Sequence, residues 1–434
     1  MRLNKLFSIL GIAALTCVAM LTACQKDKWL EKVDENGVVF EKKPIWKVGS
    51  VADLNIPNFG PAYVHFINDG LLDTYYTNPS TLENEFRLLN LDTGKPIWRW
   101  RDVIRPNDEI YVGDYWGKAV YVKDNLLLYH AGPRNYCINT ETGTTVWKKT
   151  AEYSGAPLCY GLGDEYFTFA TPLELYNQGI WEPHIYRGNL KTGKEDKILS
   201  PNYSRQHVRE LISKQTVGIG MDLQPVVSGK DTLLIVVFNE LGANRGELIG
   251  FLGLYNLTKK IWEYDHLRIF PERPQGMDGS KLVLRGAKLY LIGDNLVTCF
   301  DWQNGKRLWV KDLPSFAEIQ GIFENRYMVL YDSMSTLYCV DADTGEQIWK
   351  LGNETLSYTS SYYAEGILYY LSKGRLRARE LKTTKLLWDI PSDTDGKLDG
   401  HFGVFVTGLP GKDGEKGRIF TRTGYHTYCF EAIK

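Results

Sequence analysis

Along most of this chain apolar and polar residues alternate with the period of two that marks a half-buried β-strand, and turn residues break the alternation at short intervals. The stretch YCVDADTGEQIW (338–349) is representative. Tyr338, Val340 and Ala342 alternate with Cys339, Asp341 and Asp343, while Asp343, Thr344 and Gly345 supply a turn. Ile348 and Trp349 then resume an apolar strand. Glycine accepts positive φ without a Cβ clash, and aspartate bonds its own turn backbone. The pattern predicts a strand–turn–strand hairpin.

The same phrase recurs as LLNLDTGKPIW (88–98), YCINTETGTTVW (136–147), GNLKTGKEDKI (188–198), LYNLTKKIW (254–262), TCFDWQNGKRLW (298–309) and ARELKTTKLLW (378–388). Its tryptophans are Trp98, Trp147, Trp262, Trp309, Trp349 and Trp388; in the 188–198 copy Glu195 stands at or beside the tryptophan position. A repeat of roughly 40–50 residues holding several short strands predicts a propeller blade. The chain closes on HTYCFEAIK (426–434), the inner half of a hairpin, and its missing outer half is VVFEKKPIWKV (38–48) with Trp46. The expected fold is therefore all-β: an eight-bladed β-propeller of four-stranded antiparallel blades over residues 38–434, closed by the N-terminal strand. Closure removes sheet edges that would otherwise template aggregation. The tryptophans, Trp46 included, are expected to cover the seams between blades.

The per-blade phrase D-x-x-T-G-x-x-x-W resembles the PQQ-like repeat, found in eight-bladed quinoprotein dehydrogenases and in cofactor-free outer-membrane lipoproteins of the BamB type. The resemblance covers residues 38–434 and bears on the fold; a propeller hosts many unrelated functions.

The N-terminus adds a location. Arg2 and Lys5 precede an apolar run, Leu6 to Met20, too short to span a membrane comfortably. Leu21-Thr22-Ala23-Cys24 follows and resembles a lipobox. Residues 1–23 are read as a lipoprotein signal peptide, Cys24 as the acylated mature N-terminus and 24–37 as a tether. Gln25, after the cysteine, is not the aspartate of inner-membrane retention, and Lys26-Asp27 resembles a surface-export tag. The expected place is the outer membrane, on either face.

With 51 basic and 52 acidic residues the chain has no basic excess for nucleic acid. Cys137, Cys299, Cys339 and Cys429 share one place in the phrase and are expected as small buried core residues. The compact Thr-Gly turns all fall on one face of the ring. The long connections 101–117, 172–183, 200–220, 239–246, 391–401 and 408–417 are expected on the other, where loops on a rigid scaffold carry function. That face places Tyr115, Trp116, Tyr176, Trp181, His207 and Arg245 as candidate partner- or ligand-binding residues, since aromatics and arginine anchor interfaces. The seven histidines show no zinc spacing and no nucleophile elbow appears. Asp393-Thr394-Asp395-Gly396 begins like a calcium loop, but Lys397 stands where a ligand is needed and the glycine comes early. The adjacent cysteines that the quinoprotein resemblance implies are missing, as is a C-x-x-C-H haem motif. No catalytic residue, metal or cofactor is assigned. The reading is a non-enzymatic outer-membrane lipoprotein that binds another envelope protein, of the assembly or uptake machinery, through loops on one face. The alternatives are a surface glycan-binding lipoprotein and a PQQ-dependent oxidoreductase.

Overall fold

The computed structural model describes residues 31–434 except 50–65, 79–82, 106–119, 132–133, 155–158, 202–217, 242–246, 274, 278–281, 294, 316, 355–360, 393–400, 404 and 424–425. Eight antiparallel sheets follow one another around a ring. Strands in each blade are lettered a to d from the axis outward. Blades 1 to 7 span residues 66–100, 120–150, 159–199, 218–268, 283–312, 317–351 and 362–390. Blade 8 spans 406–431 and takes Trp46–Gly49 as its d strand, with Trp46 opposite Cys429 and Gly49 opposite His426. The N-terminal strand thus closes the ring.

The rest of the N-terminal segment lies one blade away. Val39–Lys42 runs parallel to the blade 7 d strand, Leu386–Ile390, with Val39 beside Trp388, and Glu31–Val33 pairs antiparallel with it. Blade 7 therefore carries six strands. Asp34 builds the hairpin turn by accepting the Asn36 and Val38 amides, and Gly37 takes φ +79°. Lys42 is buried with its ammonium 5.0 Å from the centre of the Trp388 ring and pairs with Glu31. Part of the stretch read as a tether, residues 31–37, is therefore drawn into the sheet.

The repeated hairpin turn and the repeated tryptophan belong to one device that spans two blades. In blades 1, 2, 3 and 6 an Asn or Asp side chain accepts two amides ahead of it, as Asn90 does from Asp92 and Thr93, and Gly94 donates back to the Asn90 carbonyl. The tryptophan of the preceding blade lies on that glycine and caps the next carbonyl. The Trp46 indole N–H donates to Leu91 O (2.8 Å), Trp98 to Thr140 O (2.7 Å) and Trp147 to Leu190 O (2.8 Å). Trp309 donates to Ala342 O (3.2 Å) and Trp349 to Leu381 O (2.8 Å). A Cβ on Gly94, Gly143, Gly193 or Gly345 would stand 2.7–2.8 Å from the ring of Trp46, Trp98, Trp147 or Trp309. Glycine is needed twice over, for its φ of +66° to +72° and for the indole it meets.

Blade 7 builds its turn with Glu380 and Thr384 in place of the Asx and the glycine, and blades 3 and 4 lack the tryptophan at its usual place. In blade 3 the position four residues past Gly193 is the exposed Lys197; Glu195, two residues earlier, faces blade 2. In blade 4 the equivalent position is Tyr264, whose hydroxyl donates to Trp302 O (2.7 Å) across the blade 4/5 seam. Trp262 lies before the d-strand bulge, opposite Tyr255, and so points the other way. It packs with Ile198, Leu199 and Tyr255 and fills the blade 3/4 seam from behind, where Lys197 supplies no ring.

The connections sort by face. Residues 172–183 are a b–c loop, and 101–117, 200–220 and 391–401 lie along d–a connections. The stretch 408–417 joins Val406–Leu409 to Arg418–Arg422, the a and b strands of blade 8, and so lies on the short-turn face, contrary to expectation. The C-terminus holds it there through Gly417 N–H to Lys434 O (3.0 Å).

Candidate functional site: the loop-bearing face

Blade 3 presents a braced loop on this face. Pro172, with φ −51°, ends the b strand and leads into a one-turn helix, Leu173–Asn177. Gln178 and Ile180 donate to Leu175 O, Gly179 donates to Tyr176 O, and Gly179 turns the chain at φ +73°. The short strand Tyr153–Ser154 from the blade 2/3 connection pairs with Thr171 and Pro172 behind it, and Leu173 N–H reaches Glu152 O. On this braced loop Tyr176 and Trp181 meet edge to face, centroids 5.3 Å apart at 72°, with 38% and 43% of their surfaces in solvent. The pair offers flat apolar area with a polar tip on each ring, a surface for recognition.

Beneath it the side chains turn polar. Glu182 and His184 are buried and 3.2 Å apart. The Tyr153 ring packs on Tyr186, centroids 4.6 Å apart and tilted by 42°. Its hydroxyl donates to Glu195 (2.9 Å) and accepts from Asn135 Nδ2 (3.0 Å). Glu195 also accepts from Tyr166 (2.6 Å) and pairs with Lys149 (2.9 Å). Burial and the Glu195 charge push the Tyr153 and Tyr166 phenols far up, so both remain donors. His130 completes the cluster through Asn135 Oδ1, and burial lowers its pKa. The equivalent place at the blade 1/2 seam is aromatic: Phe86 stacks on Trp100, whose indole donates to Thr145 (2.8 Å). Of this cluster the sequence marked only Glu195, as the residue at or beside a repeat tryptophan position, because the members come from strands far apart in the chain.

Blade 4 stands taller on this face. Its c strand, Leu248–Asn256, has 9 residues against 6 for Arg134–Asn139 in blade 2, and both end at the same turn asparagine. The three extra residues carry the hairpin about 10 Å further out. Near that end His266, at φ +38°, donates to the buried Glu240 (2.9 Å) and packs edge-on against the stacked rings of Phe238 and Phe251. The Glu240 hydrogen bond raises its pKa.

Of the candidate binding residues, the structure places Tyr176 and Trp181 together. Tyr115, Trp116, His207 and Arg245 lie outside the described residues, as do Cys24 and Asp393–Gly396. Cys137, Cys159, Cys299, Cys339 and Cys429 are buried thiols. Burial pushes the thiols of Cys137, Cys339 and Cys429 up to about 12 and that of Cys299 to about 11. Among the described residues no helix is long and apolar enough to cross a membrane.

Residues 254–434 match the family model described as "Outer membrane protein assembly factor BamB". No curated protein matches the chain in sequence. Solved structures share the fold at low identity. A europium-containing methanol dehydrogenase aligns with TM-score 0.61 at 10% identity over 90% of this chain and 93% of its own. BamB from Moraxella catarrhalis aligns with TM-score 0.53 at 12% identity over 89% and 99%. The computationally designed Ika8 protein aligns with TM-score 0.51 at 11% identity over 88% and 99%. A dehydrogenase, BamB and a designed protein share this ring, so the ring does not choose among their roles. Among the described residues no three His, Cys, Asp or Glu side chains are grouped to hold a metal ion.

Proposed function

We propose that the protein is a lipid-anchored outer-membrane scaffold that binds another envelope protein through the loop-bearing face. One observation carries the reading: two large aromatic rings, locked edge to face on a braced loop, are left in solvent. Interface hot spots are rich in such residues, and a preformed loop lowers the ordering cost of binding. The match of residues 254–434 to an outer-membrane assembly family supports a partner from the assembly machinery. Tyr115, Trp116, His207 and Arg245 are assigned to the same face, and Cys24 to the anchor.

The test is cross-linking in native membranes, purification through a C-terminal tag and mass spectrometry, repeated with Tyr176→Ala and Trp181→Ala. Loss of one envelope protein from both variants, with folding intact, is the expected result. A set of captured proteins that the substitutions leave unchanged refutes the placement. The same exposed rings suit stacking on sugars, which is the second reading. Binding on a glycan panel that depends on Trp181 would select it, and no binding at millimolar glycan would remove it.

A further inference from the structure

The outer rim of the ring is not uniform. The residue just before each seam tryptophan points away from the seam, at the perimeter. It is Leu308 in blade 5, Ile348 in blade 6, Ile45 in blade 8, Ile97 in blade 1 and Val146 in blade 2, all exposed. Blade 7 has Leu387, half-buried where the N-terminal strands cover the edge. In blade 3 the position is Asp196 and in blade 4 Glu263, both exposed and charged, with Ile261 nearer the turn. The aliphatic positions thus run over six consecutive blades, 5-6-7-8-1-2, and their midpoint is the junction of blades 7 and 8. There the N-terminal hairpin adds two more exposed apolar side chains, Val33 (53% in solvent) and Phe40 (41%).

The chain outside the structure ends at the same place. From Glu31 onward it is paired into the rim of blade 7. Seven Cα steps separate Glu31 from Cys24, a reach of at most about 25 Å. An acyl chain on Cys24 therefore keeps the blade 7/8 rim beside the bilayer. Blade 3, with its aromatic pair, is four blades of eight away, diametrically across the ring.

We propose that the blade 7/8 rim is a membrane-contact surface: Val33, Phe40 and Ile45 enter the headgroup region of the leaflet that holds the Cys24 anchor, and the more highly charged rim of blades 3 and 4 points away. The occupant of this surface is lipid. Insertion draws on apolar area, since Lys32 is paired with Glu41 (2.6 Å) and Lys42 is buried against Trp388. The result is a fixed posture, in which the aromatic loop is presented at the far side of the ring. The inference rests on the lipid anchor of the proposed function.

The acylated full-length protein is reconstituted in vesicles of phosphatidylethanolamine and phosphatidylglycerol. A nitrobenzoxadiazole probe is placed at Phe40→Cys, Val33→Cys or, as the distant comparison, Val227→Cys at the exposed end of the blade 4 a strand. The described native cysteines are buried, which directs labelling to the new site. The expected result is blue-shifted emission and at least twofold quenching by doxyl-labelled lipid at positions 33 and 40, with none at 227. Vesicle-bound protein whose position-40 probe behaves like that at 227 overturns the contact surface and leaves the anchor reading standing. Protein that fails to bind vesicles, and partitions like Cys24→Ala, overturns both.

Discussion

Adding one methyl group at Gly143 tests whether the turn glycine serves the seam tryptophan or only the turn. Gly143 has φ +68°, and a Cβ there would stand 2.8 Å from the Trp98 ring, which is 7% exposed and donates to Thr140 O. Gly229 has nearly the same backbone, φ +62°, with nothing within 4 Å of its Cβ position. Alanine at either site carries the left-handed penalty of about 1–2 kcal/mol. At Gly143 the indole must also move. Overpacking adds about 1–3 kcal/mol, and losing the bond to a buried carbonyl adds about 1–2. Gly229→Ala should therefore cost about 1–2 kcal/mol and Gly143→Ala about 3–7 kcal/mol. The assay is guanidinium unfolding, with stabilities compared from midpoints at a common m-value. In a Trp98→Ala background Gly143→Ala should fall back to the Gly229 figure, a coupling of at least about 2 kcal/mol. Equal costs at the two glycines, or no coupling, would refute the shared device.

Thr384 holds the glycine position of blade 7 at φ +62°, a strained conformation for a β-branched residue, so Thr384→Gly should stabilise by about 1 kcal/mol in the same assay. Glu195→Ala leaves Tyr153, Tyr166, Asn135 and Lys149 without their shared acceptor and should cost about 3–5 kcal/mol, with Glu195→Gln milder. Two histidines shape the pH dependence in opposite windows. His130 has a folded pKa below its unfolded 6.5, so its contribution holds above 6.5 and is lost as pH falls below it; His130→Gln should flatten stability against pH between 5 and 6.5. His266 has a raised folded pKa, so its contribution is complete below 6.5 and lost as pH rises through the folded value; His266→Gln should remove that decline above 6.5. Trp181→Ala should change stability by less than about 1 kcal/mol while weakening partner capture by at least about 2 kcal/mol, read by unfolding and by titration of the captured protein.

The ring and its blade count were legible in the chain because each hairpin is local: a period-two strand, an Asx turn, a positive-φ glycine and a tryptophan four residues later recur in phase. The closing strand was legible for the same reason, since Trp46 completes the phrase begun by HTYCFEAIK. Tertiary packing decided what those residues do for one another. The glycine of one turn is paired with the tryptophan of the blade before it, a relation across some 45 residues that no local pattern carries. Packing also assigned the exceptions, because a d-strand bulge reverses the side on which a residue points. Trp262 consequently seals the seam behind its blade, Tyr264 the seam ahead, and Glu195 joins a buried polar cluster. The same holds for the N-terminal hairpin: its alternation suits a strand anywhere, and only the free edge of blade 7, with the Trp388 ring to bury Lys42 against, settled where it lies. Local periodicity sets elements through backbone geometry, whereas partners distant in sequence are chosen by which surfaces closure of the ring brings together.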